Sequence, residues 1–274
     1  MTREQFLNTQ LENKQLALFY LGQEGFLLKF RETYLLIDPY LTDYVDRHCN
    51  GGIVCWKRNY PAPIAPEELN FIDYVLCTHE HFDHADPDSL RALAKVNPNA
   101  KFIAPAPIKD TILSYGIATE QFIEALADET IILNNFRVLP VPSAHEELHT
   151  DGNGYYTELG YRISAQNISL YHAGDCCIYD GLAKRLTDTD IAMLPINGRS
   201  YYKRYEQDII GNMTVEEALI LAKEIHADMV IPMHYDLYDI NGINPAQFVD
   251  TLFSMNPTQK FHMFIPGECY IYAK

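Results

Sequence analysis

Apolar residues recur along this chain in short runs bounded by glycine, proline and small polar residues, with helical periodicity in only a few places. Leu16 to Tyr20, Phe26 to Phe30 and Tyr34 to Ile37 read as three strands, broken at Gly22 and Gly25 and then at Arg31-Glu32, so a meander opens the fold. From Tyr40 to Leu69 the periodicity lapses, and Gly51, Gly52, Pro61, Pro63, Pro66 and the only tryptophan, Trp56, fall here. So long a loop inside a compact domain is expected to be functional or mobile, and we read it as a lid or substrate-contacting loop. Tyr74 to Cys77 is then a strand, Pro87 to Ala94 a helix opened by acidic Asp86 and Asp88, and Lys101 to Ala104 a strand.

Further along, residues 107–115 read as helix, 121–125 as a short strand, 130–133 with 137–142 as a hairpin across Asn134-Asn135, and 155–172 as another pair of strands. Ile191 to Ile196 is a strand of buried type. Thr214 followed by Glu217 forms a capping box, and Ala218, Leu221, Ala222 and Ile225 give the ensuing helix one apolar face. Met229 to Met233 is a strand, a helix follows near 245–253, and 261–265 with 269–272 read as a closing hairpin. The two halves share a similar order, strands followed by strand–helix units, which predicts an α/β sandwich of two sheets packed face to face. At 274 residues and 47% hydrophobic, the chain is expected to form a single domain over 1–274.

A net charge of −16 disfavours polyanionic partners, so neither nucleic acid nor an anionic membrane surface is expected. Six scattered cysteines without paired zinc-module spacing suggest reduced thiols and a cytoplasmic location, and no apolar run is long enough to span a membrane. The nineteen tyrosines and an aromatic-rich loop permit a homo-oligomer without requiring one.

The chemistry concentrates at Thr78-His79-Glu80-His81-Phe82-Asp83-His84, directly after a strand. In an extended segment His79, His81 and Asp83 point to one side, and a turn at Asp83-His84 swings the last imidazole beside them, so one loop can feed two adjacent metals. Imidazole and carboxylate without thiolate suit Zn, Mn or Fe(II) with positions left open for water. Three later strand ends offer complementary ligands: His145, Asp175 and His234. His145 competes with His149, which lies deeper in a polar loop. Asp175, placed by Gly174, can bridge two cations with its two oxygens. His172 alternates away and is expected to pack or to support a ligand; Asp38 either orients a ligand histidine or caps a turn. The set is then His79, His81 and His145 for one metal, Asp83, His84 and His234 for the other, and Asp175 between them. Lys57, Arg58 and Tyr60 sit in the long loop, while Asn197, Arg199 and Lys203 follow the strand at 191–196. Arg58, Arg199 and Lys203 are expected to grip a phosphate on a small anionic substrate, with Tyr60 and Asn197 beside it.

This order resembles the metallo-β-lactamase superfamily, whose HxHxDH signature stands here as His79 to His84. The resemblance implies an αββα four-layer sandwich with a dinuclear centre at the sheet edges. A closer likeness to the group containing ascorbate-6-phosphate lactonase is carried by Tyr20-Leu21-Gly22 with Gly25-Phe26, by residues 72–79 and 170–175, and by residues 212–214 and 231–236. It implies a metal-dependent hydrolase with two Mn²⁺ or Zn²⁺ ions, in which activated water attacks a phosphosugar lactone or similar ester. Asp83 would hold metal and accept a hydrogen bond from the nucleophile. Rival expectations are hydrolysis of small or lipid-headgroup phosphodiesters, a metal-loaded binding protein without turnover, and a diiron oxidoreductase.

Overall fold

The computed structural model describes residues 1–274. In chain order the strands are β1 Gln15–Gly22, β2 Gly25–Phe30, β3 Thr33–Ile37, β4 Tyr74–Leu76, β5 Lys101–Pro105, β6 Phe122–Ala125 and β7 Ile131–Ile132. They continue as β8 Arg137–Pro142, β9 Leu159–Ala165, β10 Ile168–His172, β11 Ile191–Pro195, β12 Met229–Met233, β13 Lys260–Phe261 and β14 Cys269–Ala273. One sheet runs β14-β1-β2-β3-β4-β5-β6 and the other β13-β12-β11-β10-β9-β8-β7. In each sheet three antiparallel pairings are followed by three parallel ones, the similar order of halves expected from the sequence.

The opening strands are apolar on both faces because both faces are covered. Leu16, Leu18 and Tyr20 point into the core between the sheets, where Val138, Ile163, Met193 and Ile231 meet them from the opposite sheet. The alternate residues Ala17, Phe19 and Leu21 pack in a second cluster with Leu90 and Leu93 of the helix Pro87–Val96. A third cluster joins Ala192, Leu194 and Val230 to Ala218, Leu221 and Ala222 of the helix Val215–Glu224. The layers are therefore αββα, as the resemblance implied. The Thr214 capping box is formed, its hydroxyl accepting from Glu217 N at 3.3 Å.

Two expectations change. Residues 260–273 do not close as a hairpin: β13 adds parallel to β12 in one sheet, while β14 adds antiparallel to β1 in the other. β12 and β1 each left an open backbone edge on one side of their sheets, and the final segment divides itself between those two edges. The segment 40–69 is pinned by its own side chains. It contains the short helix Tyr44–His48, Asp46 Oδ2 accepts from Arg58 N (2.8 Å), and Asn50 Nδ2 donates to Trp56 O (2.9 Å).

No helix is long and apolar enough to cross a membrane. What the topology provides is a shared edge. β3, β4, β8, β10, β11 and β12 all end on the same side of the sandwich, and the residues immediately beyond them converge there.

Candidate metal centre

The loop after β4 turns tightly, with His84 N and Ala85 N both donating to His81 O (2.9 and 2.8 Å). That turn brings its imidazoles against residues from three other strand ends. Ligand-type atoms of His79, His81, His145 and Asp175 lie within 4.8 Å of one another, as do those of Asp83, His84 and His234. Asp175 stands between the groups and gives each a different oxygen. Its Oδ2 is 3.0 Å from His145 Nε2, whereas its Oδ1 is 3.2 Å from His234 Nε2 and 3.5 Å from His84 Nε2. Gly174 (φ +60°) makes this placement possible: a Cβ there would meet Thr78 Cβ at 2.8 Å. His149 lies half exposed on the surface, 3.5 Å from Glu158.

The atoms left unpaired show what the arrangement fits. His84 Nε2 and both ring nitrogens of His145 are buried with no hydrogen-bond partner, the approach of His145 to Asp175 being off the line a hydrogen bond needs. Burial, then the neighbouring His84 and His81, holds the His79 imidazole well below its usual pKa, keeping a lone pair free. Burial opposes charge on His84 and His234, but Asp175 foremost outweighs it, raising His84 and taking His234 to about 9. Asp83 and Asp175 are likewise pulled below the carboxylate range, against burial, by those histidines. The chain alone thus offsets its buried carboxylates with protons at the positions that two cations would fill. The nitrogen and oxygen donors, with no cysteine in either cluster, fit a pair of divalent ions.

Neighbouring groups fix these side chains. Asp38 accepts from Thr78 N (2.8 Å), Thr78 Oγ1 (2.7 Å) and His84 Nδ1 (2.9 Å), so it orients a ligand-type histidine. His172 donates from Nε2 to Glu24 O (2.8 Å) and accepts at Nδ1 from Gly174 N (3.3 Å), a packed supporting role. Three residues at the centre escaped the sequence reading. Gln23 Nε2 donates to Asp83 Oδ2 (2.9 Å), Asn212 Nδ2 donates to Asp175 Oδ1 (2.7 Å), and Glu24 is wholly buried beside them. The available signal was Gln23-Glu24 enclosed by Gly22 and Gly25 between two largely apolar strands. Such a pair reads as an exposed hairpin turn, yet here it plugs the metal edge.

The Beta-lactamase superfamily domain matches residues 33–235, which include every one of the seven ligand-type residues. The chain belongs to the metallo-β-lactamase superfamily. A UPF0173 metal-dependent hydrolase of Saccharolobus solfataricus is 27% identical over 237 residues, covering 84% of this chain and 88% of that protein. Among solved structures, a metallo hydrolase from Ignicoccus hospitalis superposes with TM-score 0.72 at 22% identity, over 95% of this chain and 99% of its own. An isothiocyanate hydrolase from Delia radicum gut bacteria does so with TM-score 0.73 at 19% identity, over 94% and 100%. Family and relatives make this chain a metal-dependent hydrolase of the superfamily; the likeness to the lactonase group is not reproduced among them.

In this superfamily member the centre opens into a cavity of about 360 Å³. His81, Asp83, His145, Asp175 and His234 form its floor, and Val45, Trp56, Phe82, Ile209, Ile210 and Tyr238 most of its wall. The long loop therefore does contribute lining, through Val45 and Trp56. No lysine or arginine lines it. The expected cation grip is placed elsewhere. Arg58 donates to Thr42 O and Tyr60 O and stacks on Tyr40, while the Tyr60 hydroxyl donates to Asp236 (2.7 Å); both line a different cavity. Arg199 is held two-pronged by Glu217 (2.8 and 2.6 Å), Asn197 is buried against Asn241, and Lys203 Nζ donates to Asn197 O (2.8 Å). None of these five residues lines the cavity above the metal floor; each is engaged elsewhere in the fold, although Arg58 Nη2 and Asn197 Oδ1 are buried without a partner of their own.

Proposed function

We propose that this metal-dependent hydrolase cleaves a small uncharged ester or lactone, whose apolar body rests on the aromatic and aliphatic wall and whose acyl carbon faces the metal floor. One observation carries the reading: a cavity with five ligand-type side chains at its base has a largely apolar wall and no lysine or arginine in it. A phosphate-bearing substrate would lack a cationic partner along that wall. The ring of Tyr238 is what the cavity receives, because its hydroxyl already pairs with Tyr40 (2.7 Å) and Asp46 (2.9 Å). Trp56 packs edge-on against it at 5.2 Å, so the two rings form a firm apolar shelf.

His79, His81, His145, Asp175, Asp83, His84 and His234 would hold two divalent ions. When bound, such a pair acidifies a shared water and polarises the substrate carbonyl. Asp83 is the floor carboxylate with the most solvent access, its side chain 21% exposed, and so is placed to accept the proton of an incoming water. Gln23 keeps that carboxylate aimed by donating to it. Asn212 does the same for Asp175. The apolar wall excludes bulk water and holds the substrate in a single orientation.

The experiment compares Mn²⁺-reloaded protein on an uncharged aliphatic lactone, its phosphorylated analogue and a chromogenic phosphodiester, with His79→Ala as control. We expect kcat/KM for the uncharged lactone to exceed that for the phosphorylated one at least tenfold, and Trp56→Ala to raise its KM. A preference for the phosphorylated lactone would refute the uncharged-substrate reading. Turnover of the diester alone would replace acyl transfer with phosphoryl transfer.

A further inference from the structure

Four carboxylates sit at the centre, and the chain holds three of them. Asp83 accepts from Gln23, Asp175 from Asn212, and Asp38 from Thr78 and His84. Glu24 accepts nothing: it is 0% exposed and neither carboxylate oxygen has a hydrogen-bond partner. An ionised carboxylate in that condition is strongly destabilising, and as a neutral acid its O–H would still need an acceptor that is not in place. No lysine or arginine pairs with it. The deeper neighbours offer no free donor either, since both nitrogens of His172 are already engaged and Asp38 is itself a carboxylate that accepts from Thr78 and His84.

On its other side Glu24 meets the ligand groups. One of its oxygens lies within 4.8 Å of ligand-type atoms of Asp175 and His234, while Oε2 is 3.5 Å from His84 Nδ1, the ring nitrogen already engaged by Asp38. Ligands at about 2.0–2.2 Å from a common ion stand up to about twice that distance apart, so the Glu24, Asp175 and His234 atoms span a single coordination sphere with a shift of a few tenths of an ångström. The β1–β2 turn that carries Glu24 lies before the stretch matched to the superfamily domain, so that match assigns it no part. We propose that Glu24 is a further carboxylate ligand of the ion held by Asp83, His84, His234 and Asp175. This rests on the two-ion reading above and adds to it an asymmetry. One ion has three imidazoles and a shared carboxylate, whereas the other has two imidazoles and three carboxylates. Oxygen-rich sets suit Mn²⁺ better than imidazole-rich ones, which suit Zn²⁺. With Glu24 ionised, the four carboxylates also match the charge of two divalent ions.

The test is metal binding rather than turnover. Metal-stripped wild type, Glu24→Gln and Glu24→Asp are titrated with Mn²⁺ by calorimetry and electron paramagnetic resonance, then challenged with Zn²⁺, and each apo form is melted to check that it folds. We expect two Mn²⁺ per wild-type chain. In both variants one ion should keep its affinity, while the other weakens at least tenfold and shifts by a similar factor toward Zn²⁺. Glu24→Asp keeps the charge and loses the reach. Wild-type affinity for both ions in both variants would overturn the assignment, and so would weakening in Glu24→Gln alone, which would make Glu24 a charge balance and not a ligand. A wild type that binds fewer than two ions would overturn the two-ion reading itself.

Discussion

Arg199 illustrates what a residue type does and does not disclose. A basic residue after a strand that ends near the metal edge invites a phosphate, yet its guanidinium is clamped by Glu217, eighteen positions later, and also donates to Asn212 O (2.9 Å). It thereby ties the capped helix to the residue that aims Asp175. Arg199→Ala should leave KM unchanged for charged and uncharged substrates alike, because the side chain touches no part of the cavity. It should lower stability by roughly 0.5–1 kcal/mol, a partly solvated pair being worth little more. For a chain of this size that is about 1–4 °C in the melting temperature. A calorimetric scan and a two-substrate kinetic comparison check both halves, and a KM rise confined to the phosphorylated substrate would restore the phosphate grip. The histidines and Asp175 were legible for the opposite reason: several ligand types at strand ends serve no packing need. Gln23, Glu24 and Asn212 were not, since a polar residue in a turn looks solvated until the opposite sheet is seen to cover it.

At the scale of elements, strands were legible from short apolar runs, and their sheet partners were not. Nothing local tells Lys260–Phe261 and Cys269–Ala273 that they complete different sheets, because each answers to an open edge made by distant residues. The loop at 197–211 carries a similar hidden tie. Lys203 Nζ donates to Asn197 O and reaches Asn241 Oδ1 (3.4 Å), fastening the segment whose Ile209 and Ile210 wall the cavity. Burial lowers its ammonium from 10.5 to about 8. Between those values the unfolded chain binds the proton that the folded chain has shed, so this residue's contribution to stability becomes more favourable as pH rises through that window. Melting wild type and Lys203→Met side by side from pH 7 to 10 isolates the effect from titrating tyrosines. The wild type should gain on the variant as pH increases. A constant difference would mean that the ammonium remains solvated in the fold.

For the molecule as a whole, the sandwich and the metal edge draw on different residues. The three apolar clusters that bind helices to sheets and sheet to sheet include none of the ligand-type side chains. The fold was readable from apolar patterning for that reason, and it should persist when the centre is emptied. Chelation leaves buried carboxylates facing one another with only protons as counter-charge, while ions bound to the folded state alone stabilise it by mass action, about 3–4 kcal/mol at 100 to 1,000 times the dissociation constant. Dialysis against a chelator should therefore leave the far-ultraviolet circular dichroism at 25 °C unchanged and lower the melting temperature by about 6–16 °C, recovered on adding Mn²⁺. Equal melting temperatures with and without metal would mean that the centre binds too weakly to matter for stability. Loss of the circular dichroism signal at 25 °C would mean that the three clusters do not suffice and that the ions are part of the fold.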